Sequence, residues 1–193
     1  MNTLNQNDCL LLLIDVQEKL VAMLEKNTVV KQSNILLKTA NILGIPTIIT
    51  EQYPKGLGKT VDYLSEHIKD TTEVFEKTAF SVLKDEGFSD KLKSYGKKQI
   101  IIGGIEAHIC VHQTVADLLE AGYEVYVVKD ACASRKKDNF KNAIRLMRQN
   151  GAKIADTEIV LFELLKTSRH PHFKEVQSCL RKSFHSQRKC FKP

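Results

Sequence analysis

The feature that most constrains the fold is a pair of short, unbroken apolar runs. They are Cys9-Leu10-Leu11-Leu12-Leu13-Ile14 and Gln99-Ile100-Ile101-Ile102, the second leading into Gly103-Gly104. A strand with one wet face alternates apolar and polar residues, whereas a strand that is apolar throughout must be covered on both faces, as in parallel sheets. Asp15 ends the first run. Further strands are predicted at 47–50, opened by Pro46, at 73–76, ending at Lys77, at 124–128, ending in Lys129-Asp130, and at 153–155. Helical spacing over 29–43, 60–68, 88–95, 111–121, 137–150 and 157–165 fills the gaps. Thr28 is a candidate N-cap for the first of these, and glycines 44, 96, 122 and 151 stand at helix stops. Strands alternating with helices of these lengths predict an α/β fold with a mainly parallel sheet and helices on both faces.

A chain of 193 residues fits one domain, and the boundaries expected are a globular unit over 1–166 and a basic, partly helical tail over 167–193. The net charge of +6 is concentrated at that end. Residues 166–193 hold eight Lys/Arg and one Glu, while the remainder is nearly neutral, with 21 basic against 22 acidic residues. Such a tail suits a solvated terminus or an anionic partner, but Phe173, Phe184 and Phe191 form no RNA-binding signature, so nucleic acid is the weaker expectation. The five cysteines are odd in number and lack a C-x-x-C, which argues against a disulfide framework or zinc ribbon and for a reducing, cytoplasmic setting. No apolar run is long enough to span a bilayer and no secretory signal is evident, so no membrane role is expected. Cys190-Phe191-Lys192-Pro193 imitates a prenylation box, with unsuitable residues in its last two slots. Gly58-Lys59-Thr60 imitates a phosphate loop, but Tyr53 stands where that pattern needs glycine.

Side chains that do chemistry on a parallel sheet gather beyond the carboxyl ends of its strands. Asp15, Lys77 and Cys110 each occupy that place, so a carboxylate, an ammonium and a thiol are expected to meet in one crevice. Each has a plainer reading: Asp15 as an N-cap, Lys77 as a surface residue lying along its stem, Cys110 as a small buried hydrophobe. Cys110 lies where a strand gives way to a helix, and unpaired N–H groups there favour a thiolate, so a lowered pKa is expected. His108 and His112 flank it; His112 is expected to point away along the helix, and His108 lies in the turn with no direction readable.

Three ordered segments resemble the isochorismatase-like cysteine hydrolases: Leu12-Leu13-Ile14-Asp15-Val16-Gln17, Glu76-Lys77-Thr78-Ala79-Phe80-Ser81, and Gly104-Ile105-Glu106-Ala107-His108-Ile109-Cys110-Val111 with Gln113-Thr114. The resemblance covers roughly 8–165. Thr50-Glu51-Gln52-Tyr53-Pro54-Lys55-Gly56-Leu57-Gly58 is similar to the subgroup of isochorismatase domain-containing proteins, which includes trypanosomatid proteins labelled mitochondrion-associated ribonuclease. The resemblance implies a three-layer α/β/α fold, a catalytic Asp15, Lys77 and Cys110, and a cis peptide at Glu106-Ala107 that turns N–H groups toward a substrate oxygen. Glu106, Ala107, Gln17, Tyr53, Phe80 and Ile109 are the neighbours expected to bind substrate or oxyanion. It further implies metal-independent hydrolysis of a small amide or related C–N bond without a cofactor, and assembly as a homo-oligomer. Nicotinamidases of this superfamily carry a metal on a histidine-rich loop after the second strand; here the loop 51–59 has no histidine, so no catalytic metal is expected. His170-Pro171-His172 is a weak alternative. Enzymes that cleave isochorismate lack the nucleophilic cysteine, so Cys110 argues against that reaction. The competing class is an interaction protein on the same fold with an idle triad.

Overall fold

The computed structural model describes residues 3–69 and 71–188, with side chains described as far as Arg181; the prenylation-like Cys190 lies outside the described residues. In chain order the elements are β1 (Cys9–Ile14), α1 (Glu18–Val21), α2 (Thr28–Leu43), β2 (Thr47–Gln52), α3 (Pro54–Leu57), α4 (Asp62–Ser65), β3 (Thr72–Lys77) and α5 (Phe88–Ser94). They continue with β4 (Gln99–Ile105), α6 (His112–Glu120), β5 (Glu124–Ala133), α7 (Lys137–Gln149), β6 (Lys153–Ala155), α8 (Thr157–Leu165) and α9 (Phe173–Arg188). All six strands pair in parallel, in the order β3-β2-β1-β4-β5-β6. The order reverses between β1 and β4, and in an open α/β sheet the crevice outside that reversal is where ligands bind.

The apolar run of β1 is fully buried, and its side chains alternate between two cores. Leu11 and Leu13 join Val29, Leu36, Leu37, Leu161 and Val176 on the face covered by α2, α8 and α9. Leu10, Leu12 and Ile14 join Phe88, Val115, Leu118 and Met147 on the face covered by α5, α6 and α7. A period of two thus explains why β1 has no polar position: neither face meets water. Among the described residues no helix is long and apolar enough to cross a membrane.

Several boundaries depart from expectation. Asn27 rather than Thr28 precedes α2, and Gly44 ends that helix at φ 67°, where glycine carries no Cβ penalty. The segment expected as a polar loop at 51–59 is strand as far as Gln52 and then a helical turn, while the helix expected over 60–68 shrinks to Asp62–Ser65. β5 continues five residues past Val128. Between the pairs Ile102↔Val127 and Gly104↔Cys132, β4 advances by two residues and β5 by five, so Lys129-Asp130-Ala131 form a bulge and pairing resumes beyond it. The bulge presses Ala131 onto β4: a Cβ on Gly103 would lie 2.8 Å from the Ala131 carbonyl oxygen.

Candidate active site

Asp15 follows the last residue of β1 with φ 51°, a left-handed turn that Asp tolerates better than most residues. The turn is held by β2, because the Asp15 N–H donates to the Thr50 carbonyl at 3.1 Å and the Thr50 hydroxyl donates to Asp15 Oδ1 at 2.6 Å. Oδ2 meets Lys77 Nζ at 2.8 Å, with both side chains 0% exposed. That contact joins opposite charges at hydrogen-bonding distance. Lys77 ends β3, and its ammonium also donates to Gln52 Oε1 at 2.5 Å and to the carbonyls of Ala79 and Phe80 at 3.1 and 3.2 Å. Four oxygens thus surround one buried ammonium, and a buried charge persists only with such partners.

Cys110 arrives from the other side of the reversal. Gly104 has φ 136°, and a Cβ there would sit 2.0 Å from the Ile14 carbonyl oxygen, so β4 reaches β1 this closely only as glycine. After β4 the chain makes a π-helical turn, Ala107–Val111, that runs into α6. Its N–H groups at Ile109 and Val111 both donate to the Glu106 carbonyl, at 3.0 and 3.3 Å. The cis peptide lies at Ile105-Glu106, one residue before the expected Glu106-Ala107, because β4 runs through Ile105 and the helical turn already starts at Ala107. Cys110 Sγ lies within hydrogen-bonding reach of both Asp15 and Lys77 and is 6% exposed. The structure therefore brings the carboxylate, ammonium and thiol together.

The ionisation of the thiol is opposite to the expectation. Burial, with the Asp15 charge adding to it, pushes Cys110 up to about 12, outweighing Lys77. Cys110 does lie in the first turn after β4, as the sequence suggested, but burial and the Asp15 charge outweigh what that position offers a thiolate. Burial also raises Asp15 above the usual carboxylate range, against the pull of Lys77, Thr50 and Cys110. At neutral pH the sulfur therefore rests as a thiol.

The neighbours divide into braces and rim. Gln17 is buried; its amide donates to the carbonyls of Gln52 and Gly58 at 3.1 and 2.6 Å and accepts from the Gln52 N–H at 2.8 Å, fastening the loop after β2. Both ends of that amide are engaged with backbone, so in this geometry Gln17 holds the loop rather than presenting a free polar atom. Tyr53, 57% exposed, stands at φ 38° with its ring against Gly56, and Phe80 is 54% exposed beside the carbonyl that Lys77 holds. Ile109 is half-buried and Ala107 buried against the core shared with Cys110. Glu106 is buried, accepts from the Arg135 N–H at 3.1 Å, and pairs with Arg135 Nε at 3.2 Å. His108 lies 3.0 Å (Nδ1) from the Ser134 hydroxyl and 3.2 Å (Nε2) from the Asn139 amide. Both ring nitrogens are thus engaged by neighbours other than the sulfur. His112 opens α6.

Thr50, Gln52 and Arg135 are the positioning groups that the sequence reading missed. The first two sit at the carboxyl end of a strand, which was the available signal; Arg135 follows β5 and had none. A groove of about 1140 Å³ lies between α2, α8 and α9, and none of these groups lines it. A cavity of about 340 Å³ lies instead at the carboxyl edge of β5, lined by Cys132, Ala133, Ser134 and Arg135.

Comparison with known proteins gives concordant results. The family model described as isochorismatase domain matches residues 9–159. Isochorismatase domain-containing protein 2 of Danio rerio is 43% identical over 180 residues, which are 92% of this chain and 89% of that protein. Among solved structures, MAR1 ribonuclease from Caenorhabditis elegans superposes with a TM-score of 0.87 at 41% identity over 92% of each chain. YcaC from Pseudomonas aeruginosa, solved with hexane-2,5-diol and covalent acrylamide, gives 0.86 at 26% identity over 98% of this chain and 96% of that one. The YcaC gene product of Escherichia coli, described as an octameric hydrolase of unknown specificity, gives 0.83 at 26% identity over 96% and 97%.

Proposed function

This chain belongs to the isochorismatase family, and from that premise we propose that it is a cysteine hydrolase that cleaves a small amide or related C–N bond through a thioester on Cys110. The observation that carries the reading is the meeting of Cys110, Asp15 and Lys77 around one buried ion pair at the strand-order reversal. The covalent acrylamide on the Pseudomonas YcaC supports it, since an acceptor of that kind needs a nucleophile on the fold.

The protonation states shape the mechanism. Cys110 rests as a thiol within hydrogen-bonding reach of Asp15, so the carboxylate takes the thiol proton as the sulfur attacks the carbonyl carbon. Lys77 stays paired and offsets the charge as it passes from carboxylate to thiolate. The oxyanion rests on backbone N–H groups of the 106–110 turn, a preorganised cradle that is worth more here than in water. Collapse breaks the C–N bond, and the proton on Asp15 leaves with the amine. Water then attacks the thioester, Asp15 takes its proton, and the acid departs as the sulfur is reprotonated. A single base serves both halves. Neither His108 nor a metal is used in these steps.

The test is intact-mass analysis after incubation with a library of small amides and aldehydes. Wild type is expected to gain an adduct that maps to Cys110, and Cys110→Ala to keep its fold while losing adduct and turnover. Turnover undiminished in Cys110→Ala ends the reading. Assembly with further copies of the chain belongs to the same proposal, on the precedent of the octameric E. coli protein. A monomeric mass in solution counts against that part.

A second reading, RNA cleavage, draws on the name of the C. elegans relative and on the basic end of the chain. A thiol, a carboxylate and an ammonium have no ready route to a phosphodiester. RNA hydrolysis lost in Cys110→Ala would favour this reading over the amide.

A further inference from the structure

The turn after β3 presents the Ala79 and Phe80 carbonyls to the Lys77 ammonium, at 3.1 and 3.2 Å, and a carboxylate holds that turn from behind. Asp85 Oδ1 accepts from the Thr78 N–H at 3.1 Å and the Thr78 hydroxyl at 3.2 Å, and Oδ2 accepts from the Ala79 N–H at 3.0 Å. A short 3-10 turn, Val82–Lys84, brings Asp85 back to them. The carboxylate is half-buried and pairs with no lysine or arginine among the described residues, so these three donors answer its charge.

Asp85 also begins a run of hydrogen bonds that all point one way. Its Oδ2 takes the N–H of the Thr78-Ala79 peptide, and the carbonyl of that same peptide accepts from Gln52 Nε2 at 2.7 Å. Gln52 Oε1 then accepts from Lys77 Nζ at 2.5 Å, and Nζ meets Asp15 Oδ2 at 2.8 Å. An anion at the N–H end of an amide pushes electron density onto its oxygen, so two amides in series pass the effect along, each strengthening the next bond. The Gln52 amide has one workable orientation, because the reverse would set its NH2 against an ammonium and its oxygen against a carbonyl.

We propose that Asp85 is a positioning residue for the hydrolysis, which through the Thr78-Ala79 peptide and Gln52 holds the Lys77 ammonium where it balances charge on Asp15 and Cys110. The proposal rests on the cysteine-hydrolase reading and adds a residue that touches none of the three reacting groups.

Asp85→Asn is the test, because the added amide nitrogen sets a donor against the Ala79 N–H. Asp85→Ala, with no such amide, replaces it should it misfold, with the same expectations. The first readout is the rate of iodoacetamide alkylation at Cys110 from about pH 4 to 8, in which the sulfur bonds the methylene carbon, iodide leaves and Asp15 takes the thiol proton. The rate falls on the acid side as Asp15 becomes protonated. Deleting a distant anion through space makes Asp15 easier to ionise and lowers that midpoint, whereas loosening Lys77 raises it. A neighbouring cation is worth about 1–3 units to a carboxylate, so the midpoint is expected to rise by about half a unit, a roughly threefold slower reaction below it. Exposed Glu86, the next residue, supplies the control: Glu86→Gln is expected to leave the midpoint unmoved or slightly lower. A midpoint that stays or falls in Asp85→Asn, or rises equally in Glu86→Gln, overturns the proposal. The second readout needs no reaction. Nitrogen-15 lysine labelling is expected to show a slowly exchanging ammonium signal that disappears in Lys77→Met and is broadened or lost in Asp85→Asn. No such signal in wild type, or one unchanged in Asp85→Asn, overturns the proposal too. Failure of Cys110 to react, or an acid limb that survives Asp15→Asn, indicts the cysteine-hydrolase reading instead, and the hold of Asp85 on Lys77 is then decided by the ammonium signal alone.

Discussion

Replacing Lys77 by methionine tests the electrostatic centre of the site. Methionine matches the length of the stem and removes the charge. The Lys77 and Asp15 side chains are both 0% exposed, so water cannot take over the role of the ammonium. Breaking a buried pair by deleting one partner costs about 3–5 kcal/mol, because the other charge is left uncompensated. Asp15 keeps the Thr50 hydroxyl at 2.6 Å, and it can escape the remaining penalty by taking a proton. For a chain of this size each kcal/mol lowers Tm by about 2–4 °C, so a fall of roughly 10 °C is expected near neutral pH. The pH dependence has a definite sign. Asp15 is already raised above its ordinary value near 3.8 by burial, and losing Lys77 raises it further. A group raised in the folded state contributes stability that is complete below its unfolded value and is lost as pH climbs through the folded one. Lys77→Met should therefore fall further behind wild type from pH 5 to 8. Urea unfolding of wild type, Lys77→Met, Asp15→Asn and the double variant across that range is the assay. The double variant should recover most of the loss, since removing both members of a buried pair is often nearly neutral. A Lys77→Met protein within about 1 kcal/mol of wild type at every pH, or a double variant no more stable than Lys77→Met, refutes the reasoning.

Two further outcomes follow from the same geometry. Gly104→Ala places a methyl 2.0 Å from the Ile14 carbonyl oxygen, where neither backbone can rotate away; a loss of about 2–4 kcal/mol in thermal unfolding is expected, with slower alkylation of Cys110 as Asp15 shifts. The acid limb of kcat/KM should lie above the ordinary carboxylate range, because Asp15 must be ionised to accept the thiol proton and burial raises it; a half-point at or below 3.8 in the pH–rate profile counts against Asp15 as the base.

What the sequence made legible was whatever follows from local pattern. The all-apolar β1 betrayed a strand buried on both faces, and the strand-end positions of Asp15, Lys77 and Cys110 foretold their meeting before any topology was known. Partners joined only by the fold stayed hidden. Thr50 reads as one more β-branched strand residue until β2 pairs with β1 and its hydroxyl reaches Asp15. Arg135 reads as surface charge until the bulge carries β5 past Lys129-Asp130 to the end of β4. The state of the thiol was misjudged for a related reason: a helix end is a local feature, whereas the Asp15 charge and the burial that dominate Cys110 come from other strands.

Asp15 and the turn bearing Cys110 are rooted in the two innermost strands, but Lys77 terminates β3, which has a neighbour on one side alone. Peripheral strands open at lower free energy than central ones. The attacking and proton-accepting groups thus share the most durable part of the molecule, while the cation that balances them hangs from its margin. Whatever loosens or braces that margin, be it heat, crowding or a subunit laid along it, acts on reactivity before it acts on the fold.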